Sequence, residues 1–474
     1  MKPVFPLFLS LCLALGLSSC VTAPKSARHR LNVKIPDGWA AYASSKPIAD
    51  TAWIGSFGDQ QLLKLVDEAL EHNKDLKVTS ARIRSAEATA VIAGAALTPR
   101  ANVELDGGRS QRNFIGFPFG AGGQQVVNSS LSNNFGLRLS ASWEVDIWGR
   151  IRAAKSAALA DLQASESDYE AAQLSIAAQT ARSWFTLLAT HEQLELAEED
   201  LESAADNVKT IENAIEFGQA GSASELEQAR ATEDSLLAVV QLRNEQVVRL
   251  RKQIDIVLGR YPAGELAGAG GLPKMPGRPP TGVPADLLDR RPDVRTAERR
   301  LAAADKRVLE AKRSLLPQFN ITGNYGTGTP DLEEILNSDF TVWSFASGVT
   351  QPILEGRRLR ETVKIRQANS ESELAGYQQT VLIAFREVEE ALASEEFQRK
   401  RVEAYRDAAE HGQKAVDRAR DAVGDGEDGA INSLLRAQER LIGARAALVD
   451  ARRDWLTNRI DLHTALGGDF RARD

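Results

Sequence analysis

The stretch FGLRLSASWEVDIWGRIRAAKSAALADLQASESDYEAAQLSIAAQTARSWFTLLATHEQLELAEEDLESAADNVKTIENAIEF, residues 135–217, changes its period near Gly149, and that change decides the fold. Up to Ile147, apolar Phe135, Leu137, Leu139, Ala141, Trp143, Val145 and Ile147 alternate with Gly136, Arg138, Ser140, Ser142, Glu144 and Asp146. A period of two puts one kind of side chain on each face of a β-strand. From Arg150 to Phe217 there is neither Pro nor Gly, which permits one unbroken helix of about 100 Å at ~1.5 Å per residue. No globular core needs that length. Inside it Leu194, Ala197, Leu201, Ala204, Val208, Ile211 and Ile215 alternate spacings of three and four, the seam of a coiled coil.

Both signals recur along the chain. Trp343, Phe345, Val349 and Ile353 alternate with Ser344, Ala346, Gly348 and Thr350, while Val103 and Leu105, then Phe319, Ile321 and Tyr325, open partner strands. A second seam runs through Leu226, Ala229, Leu236, Val240, Val247, Leu250, Ile254 and Val257. It returns as Val402, Tyr405, Ala409, Val416, Ala419 and Val423, then Leu434, Ala437, Leu441, Ala444, Leu448, Ala451 and Trp455. The recurrence is an internal duplication. Asn73-Lys74-Asp75-Leu76 corresponds to Arg291-Pro292-Asp293-Val294, and Pro99 to Pro317, each 218 residues on. Gly221 corresponds to Gly429, Ala229 to Ala437 and Leu258-Gly259 to Leu466-Gly467, each 208 residues on. Each repeat, 59–259 and 285–467, reads as helix, two strands, long helix, helix. Strands fall at about 100–147 and 317–353, and long helices at 150–217, 222–258, 357–423 and 430–466. A Gly- and Pro-rich linker, 260–284, joins the repeats, and residues 468–474 form a tail.

Segments of roughly 9–11 residues with one apolar and one polar face fit transmembrane β-strands. One chain supplies four. Open edges do not sit in lipid, and four strands fall below the ~8 of the smallest membrane barrels. Closure therefore requires several chains: two would give eight strands and three would give twelve.

The N-terminus places the protein outside the cytoplasm. Lys2 and the apolar run Leu7 to Leu17 form a secretory signal, residues 1–19, too short to span a bilayer. It ends in Leu17-Ser18-Ser19-Cys20, which resembles a lipobox whose Cys20 becomes the lipid-modified first residue. Val21 follows where an Asp would resemble an inner-membrane retention signal, favouring outer-membrane lipid. Residues 20–58 are then a lipid-anchored extension. Cys12 leaves with the signal, so no disulfide forms within one subunit.

Enzyme chemistry finds no foothold. The five histidines, His29, His72, His191, His411 and His463, are scattered, and Glu195 stands where an HExxH motif beginning at His191 needs its second His. No nucleophile elbow, metal cluster or cofactor motif is present. A net charge of −7 argues against nucleic acid as partner. The competing reading is a secreted coiled-coil lipoprotein acting as a spacer or adaptor, which would lack duplicated strand pairs with an apolar stripe.

Five stretches, WIGSFGDQQLLKLVDEALEHNKD (53–75), WEVDIWGR (143–150), RRPDVRTAE (290–298), QPILEGR (351–357) and the paired Leu-Gly ends, resemble the lipoprotein branch of the TolC family of outer-membrane efflux proteins (NodT/OprM-like). The likeness covers nearly all of the mature chain. It implies a mainly α protein with a membrane β-barrel: a homotrimer with a twelve-stranded barrel and a long α-helical tunnel across the periplasm. It implies as partners a periplasmic adaptor (membrane fusion) protein and an inner-membrane pump, and export of small molecules. By the same likeness the turns Gly218-Gln219-Ala220-Gly221 and Gly424-Asp425-Gly426-Glu427-Asp428-Gly429 form the periplasmic tip. Gly218, Gly221, Gly426 and Gly429 release the helix ends there and are candidates for adaptor docking. Asp425, Glu427 and Asp428, repeated by symmetry, form a candidate gate that favours cations, against the alternative of a solvated loop. The second turn also spells GxGxxG, but helices rather than a strand precede it, so it is no dinucleotide site. No complete metal-binding loop accompanies its carboxylates.

Overall fold

The computed structural model describes residues 21–41, 53–115, 127–217, 222–266, 270–425, 427 and 429–468. Cys20, Gly218, Gly221, Gly426 and Asp428 lie outside the described residues. The chain divides into two compact units. One comprises Met1–Arg30, Arg84–Ala164 and Glu298–Ala375; the other comprises Leu31–Ile83, Ser165–Ala297 and Gly376–Asp474. The helices are α1 (Gln60–His72), α2 (Lys74–Ala95), α3 (Arg150–Glu216), α4 (Ala223–Val257), α5 (Leu287–Arg290), α6 (Pro292–Arg313), α7 (Gly356–Gly424) and α8 (Ala430–Ala465). The strands are β1 (Arg100–Ile115), β2 (Val127–Val145), β3 (Gln318–Thr329) and β4 (Thr341–Thr350).

The first unit holds the sheet, antiparallel throughout in the order β1-β2-β3-β4. Two expectations need correction here. Ile147 and Ile353 continue the alternating pattern but lie beyond the strands, which stop at Val145 and Thr350. The Asp146 carboxylate accepts from the Ile151 and Arg152 amides at 3.0 and 2.9 Å, so it turns the chain into α3. After β4, Pro352 has no amide to extend a ladder. Alternation records which face a side chain takes, not whether the backbone is still paired.

The second unit is a helical bundle. Asp59 caps α1 by accepting from the Gln61 and Leu62 amides, and its other oxygen accepts from the indole of buried Trp184 at 2.7 Å. Trp184, Phe185, Leu187 and Leu188 of α3 are almost wholly buried with Trp53, Leu62, Leu65 and Ile254. Trp53 also stacks on His463, whose burial beside Arg459 lowers its pKa to about 3 and keeps the ring neutral. Most seam residues are buried, including Leu194, Ala197, Ala204, Val208, Ile211, Leu236, Val240, Val247, Leu434 and Leu441; Ile215 and Tyr405 are exposed.

The duplication is visible in the packing. Gly259 has φ 75°, and a Cβ there would meet the His72 carbonyl oxygen at 2.5 Å. Its counterpart Gly467 has φ 64° and abuts Arg290, the counterpart of His72. Asn73 donates to the Val257 carbonyl at 2.8 Å, and its counterpart Arg291 donates to the Ala465 carbonyl at 3.0 Å. The same close approach of helix end to helix start is built twice, by different side chains.

The Gly/Pro segment between the repeats is a belt laid on the bundle. Buried Asp255 accepts from the Gly264 amide at 2.7 Å, and Arg452 donates to the Leu272 carbonyl at 3.0 Å. Arg459 donates to the carbonyls of Pro276 and Gly277 at 2.8 and 2.5 Å, and the Trp39 indole donates to those of Thr281 and Gly282. Arg459 is itself paired with Glu395, the two side chains being 2% and 5% exposed.

Candidate channel wall and helical tip

Register decides what the sheet offers its surroundings. Directly paired residues on antiparallel strands share a face. Val103 pairs with Leu139, Leu139 with Tyr325, and Tyr325 with Trp343. One step along, Ala101, Ala141, Gly323 and Phe345 form a row, and Val145, Phe319 and Val349 another. Every apolar strand residue named from the sequence between Ala101 and Val349 falls on this face. Val103, Leu139, Tyr325, Trp343, Phe345 and Val349 are all largely exposed on the single chain. From Leu137 to Val145 the band runs about 26 Å along β2, or about 20 Å in height at the usual barrel tilt. The opposite face carries Asn102, Glu104, Ser140, Ser142, Asn324 and Ser344, with Arg138 near Asp106 at 3.8 Å. No helix among the described residues is long and apolar enough to cross a membrane.

β1 and β2 outlast their neighbours. Their pairing continues to Ile115 and Val127, whereas β3 pairs with β2 only from Phe135 onward. The excess hairpin carries Arg109, Ser110, Gln111, Arg112 and Asn113 opposite Ser129, Ser130, Leu131, Ser132 and Asn133, a polar composition beyond the apolar band.

Toward the turns of the bundle, α8 carries a ladder of polar ties that sequence reasoning missed. Asn432 donates to Glu225 at 2.6 Å. Gln438 accepts from Asn207 at 2.6 Å and donates to Ser203 at 3.2 Å. Arg445 donates to Gln413 at 3.0 Å and lies 3.5 Å from Glu199 and 4.0 Å from Asp200. Burial raises the pKa of Asp200 to about 6, with Arg445 opposing and Glu199 adding to the rise. Between these ties sit small apolar clusters, one of Val208, Ile211, Ala229 and Ile431, another of Val416, Leu434, Ala437 and Leu441. The near-heptad spacing of Asn432, Gln438 and Arg445 was the available signal.

The candidate tip residues inside the described set are Asp425, Glu427 and Gly429. Asp425 and Glu427 are exposed, and no basic side chain of the described residues pairs with either. Their amides close the end of α7, donating to Asp421 and Ala422 carbonyls at 3.0 and 3.1 Å. Gly429 has φ 77°, the left-handed conformation that lets the chain reverse into α8. On the other side Ser222 and Glu225 form a capping box that starts α4.

A model of the outer membrane efflux protein family matches residues 65–255 and 283–468. The chain belongs to this family. Among outer membrane efflux proteins, the pyoverdine export outer membrane protein OpmQ of Pseudomonas putida is 33% identical over 391 residues, 80% of either chain. Outer membrane protein OprJ of Pseudomonas aeruginosa is 29% identical over 485 residues, 99% of this chain and 97% of that one. The solved outer-membrane channel OprN superposes with a TM-score of 0.81 at 26% identity, covering 95% of this chain and 99% of that one. The CmeC outer membrane channel of Campylobacter jejuni gives 0.82 at 25% identity, covering 95% and 96%. Family members are channels rather than enzymes, and the chain is an outer-membrane efflux protein, not a free-standing spacer.

Proposed function

We propose that this protein is the exit duct of a tripartite efflux system, passing small molecules from an inner-membrane pump and its periplasmic adaptor to the exterior. Three copies close a twelve-stranded barrel, and the long helices continue as a tunnel across the periplasm. One observation carries this reading. The four-stranded sheet has an apolar band on one face and a polar opposite face, yet among the described residues the outer edges of β1 and β4 are unpaired. Unpaired strand edges are not tolerated in lipid, so β1 of one copy meets β4 of the next. Transport needs no catalytic residue in this chain.

Residues 1–19 are removed and Cys20 is acylated. Support comes from the Leu17-Ser18-Ser19-Cys20 lipobox; in the segment that follows, the Thr22 carbonyl accepts from Ser156 at 3.1 Å and the Pro24 carbonyl from Arg299 at 3.0 Å. Ser156 lies about 9 Å along α3 from its first residue, so Thr22 packs near the start of that helix. The repeats are 59–259 and 285–467, flanked by the extension 20–58, the belt 260–284 and the tail 468–474. Asp425, Glu427 and Asp428 form an acidic gate, and Gly218, Gly221, Gly426 and Gly429 shape the turns that meet the adaptor.

Native mass spectrometry and planar-bilayer recording test the reading together. A trimer that conducts, with an acylated Cys20, is expected. A conducting monomer sinks the shared barrel, and an unmodified Cys20 in membrane-extracted protein sinks the anchor.

A further inference from the structure

We infer that the β4–α7 junction, residues 351–360, is a binding site for the phosphate headgroup of an anionic phospholipid in the periplasmic leaflet of the outer membrane. The inference rests on the barrel reading above, which sets the lipid-facing side of the sheet.

The duplication supplies an internal control. Both strand-to-helix junctions contain Gly-Arg, at Gly149-Arg150 and at Gly356-Arg357. In the first repeat the charges are neutralised. Arg150 is bidentate on Glu144 at 3.1 and 2.7 Å, Arg152 pairs with Asp146 at 3.1 Å, and Asp146 caps the helix. Matching Gly149 to Gly356 puts Gln351 where Glu144 stands and Ile353 where Asp146 stands. Both acids are therefore gone, and Gln351 is spent on the Leu315 and Pro352 carbonyls. Arg358 is paired with Glu355. Arg357 and Arg360 are exposed, and no carboxylate of the described residues pairs with either.

The place of these two cations selects the ligand. The apolar face of the sheet ends at Val349 and Phe319, and Trp148 packs on Phe319 with ring centroids 6.4 Å apart while remaining 44% exposed. Its indole N–H donates to the Pro317 carbonyl at 2.8 Å, leaving the ring at the rim. An aromatic residue at this level marks the membrane–water interface of a barrel. Just past β4, Ile353 and Leu354 are 82% and 97% exposed on the single chain. Arg360 folds back over the first turn of α7, its guanidinium nitrogens within 3.7–3.8 Å of where a Gly356 Cβ would be. Two exposed apolar side chains thus follow the end of the apolar face, and two guanidinium groups without a carboxylate partner among the described residues come three to seven residues after them. Guanidinium binds phosphate by paired N–H donors. A neutral zwitterionic lipid satisfies this site less well than an anionic one, because its own ammonium competes for the phosphate.

The test is native mass spectrometry of the full-length, delipidated oligomer titrated with phosphatidylglycerol or phosphatidylethanolamine. Each interfacial Arg contributes on the order of a fivefold preference for anionic lipid, so wild type is expected to favour phosphatidylglycerol about twenty-five-fold. Arg357→Gln with Arg360→Gln should abolish that preference, and Arg418→Gln with Arg420→Gln, farther along α7, should leave it intact. Gln351→Glu is the second variant. It offers Arg357 the kind of partner that Arg150 has in Glu144, at the cost of the amide bonds to the Leu315 and Pro352 carbonyls, and should weaken the preference without loss of assembly. A trimeric wild type with no lipid preference, or either junction variant retaining the full preference, overturns the inference. Failure of the wild type to form a trimer overturns the barrel reading instead.

Discussion

Replacing Glu395 by Gln should be among the most damaging conservative changes in this protein. The carboxylate is 5% exposed and accepts from Arg459, from the Trp455 indole at 2.9 Å and, at the 3.5 Å limit, from Asn458. Arg459 is 2% exposed and also holds the Pro276 and Gly277 carbonyls. Glu395→Gln keeps the shape but leaves a dry guanidinium with only neutral acceptors, and breaking a buried pair from one side costs about 3–5 kcal/mol. Arg459→Met should cost about 1–2 kcal/mol more, because it also strands two belt carbonyls. The double variant Glu395→Leu/Arg459→Met removes both charges and should recover most of the loss, giving a coupling energy of several kcal/mol. Guanidinium unfolding in detergent, followed by tryptophan fluorescence, measures the cycle. Trypsin cleavage after exposed Lys274 reports on the belt itself and should accelerate in both single variants. A cost below about 1 kcal/mol for Glu395→Gln, with unchanged cleavage, would mean that water reaches the pair and the reasoning fails.

Asp200→Asn should stabilise the protein at pH 8 by about 1 kcal/mol, allowing for partial solvent screening, and do nothing below about pH 4. The sign follows from the raised pKa of about 6 against 3.8: between those values the native chain holds a proton the unfolded chain has released, so stability falls as pH rises. Unfolding midpoints of variant and wild type across pH 4–8 check it, and a gap that shrinks with rising pH contradicts it. Gly259→Ala should cost about 2–3 kcal/mol and Gly467→Ala about 1–2, since both have positive φ but the nearest atoms to the added Cβ lie at 2.5 and 3.0 Å. Equal thermal shifts would show that the His72 contact relaxes freely. Converting Asp425, Glu427 and Asp428 together to their amides should reduce cation selectivity without changing trimer yield, read as a shifted reversal potential in asymmetric salt. An unchanged potential returns the turn to an ordinary solvated loop.

The fold was legible wherever one local period decides it. Parity alone gave each strand one apolar and one polar face, because a strand offers only two; register then brings Val103, Leu139, Tyr325 and Trp343 together. The absence of Gly and Pro between Arg150 and Phe217 was enough for α3, which ends at Glu216. What stayed hidden depends on partners remote in sequence. Arg452 and Arg459 are one heptad apart on α8, a spacing that reads equally well as a solvated stripe. Their acceptors at Leu272, Pro276 and Gly277 are backbone carbonyls, which no sequence distinguishes. Asp200 follows Glu199 in an acidic run, and only packing shows that one is sequestered beside Arg445 and the other exposed.

The belt gives α8 a fixed point. Arg452 and Arg459 hold α8 to the Leu272–Gly277 segment, whereas from Arg452 to Ala430 the helix is held by side-chain clusters and by the ties of Asn432, Gln438 and Arg445. That arm is about 33 Å long, so a tilt of only about 10° about the belt would carry its far end through about 6 Å. The belt acts as a fulcrum: it turns a slight change of angle into a displacement the width of a small solute, while the helices on its own level barely move. A duct built this way needs no hinge within a helix, only a stiff strut and one fixed point.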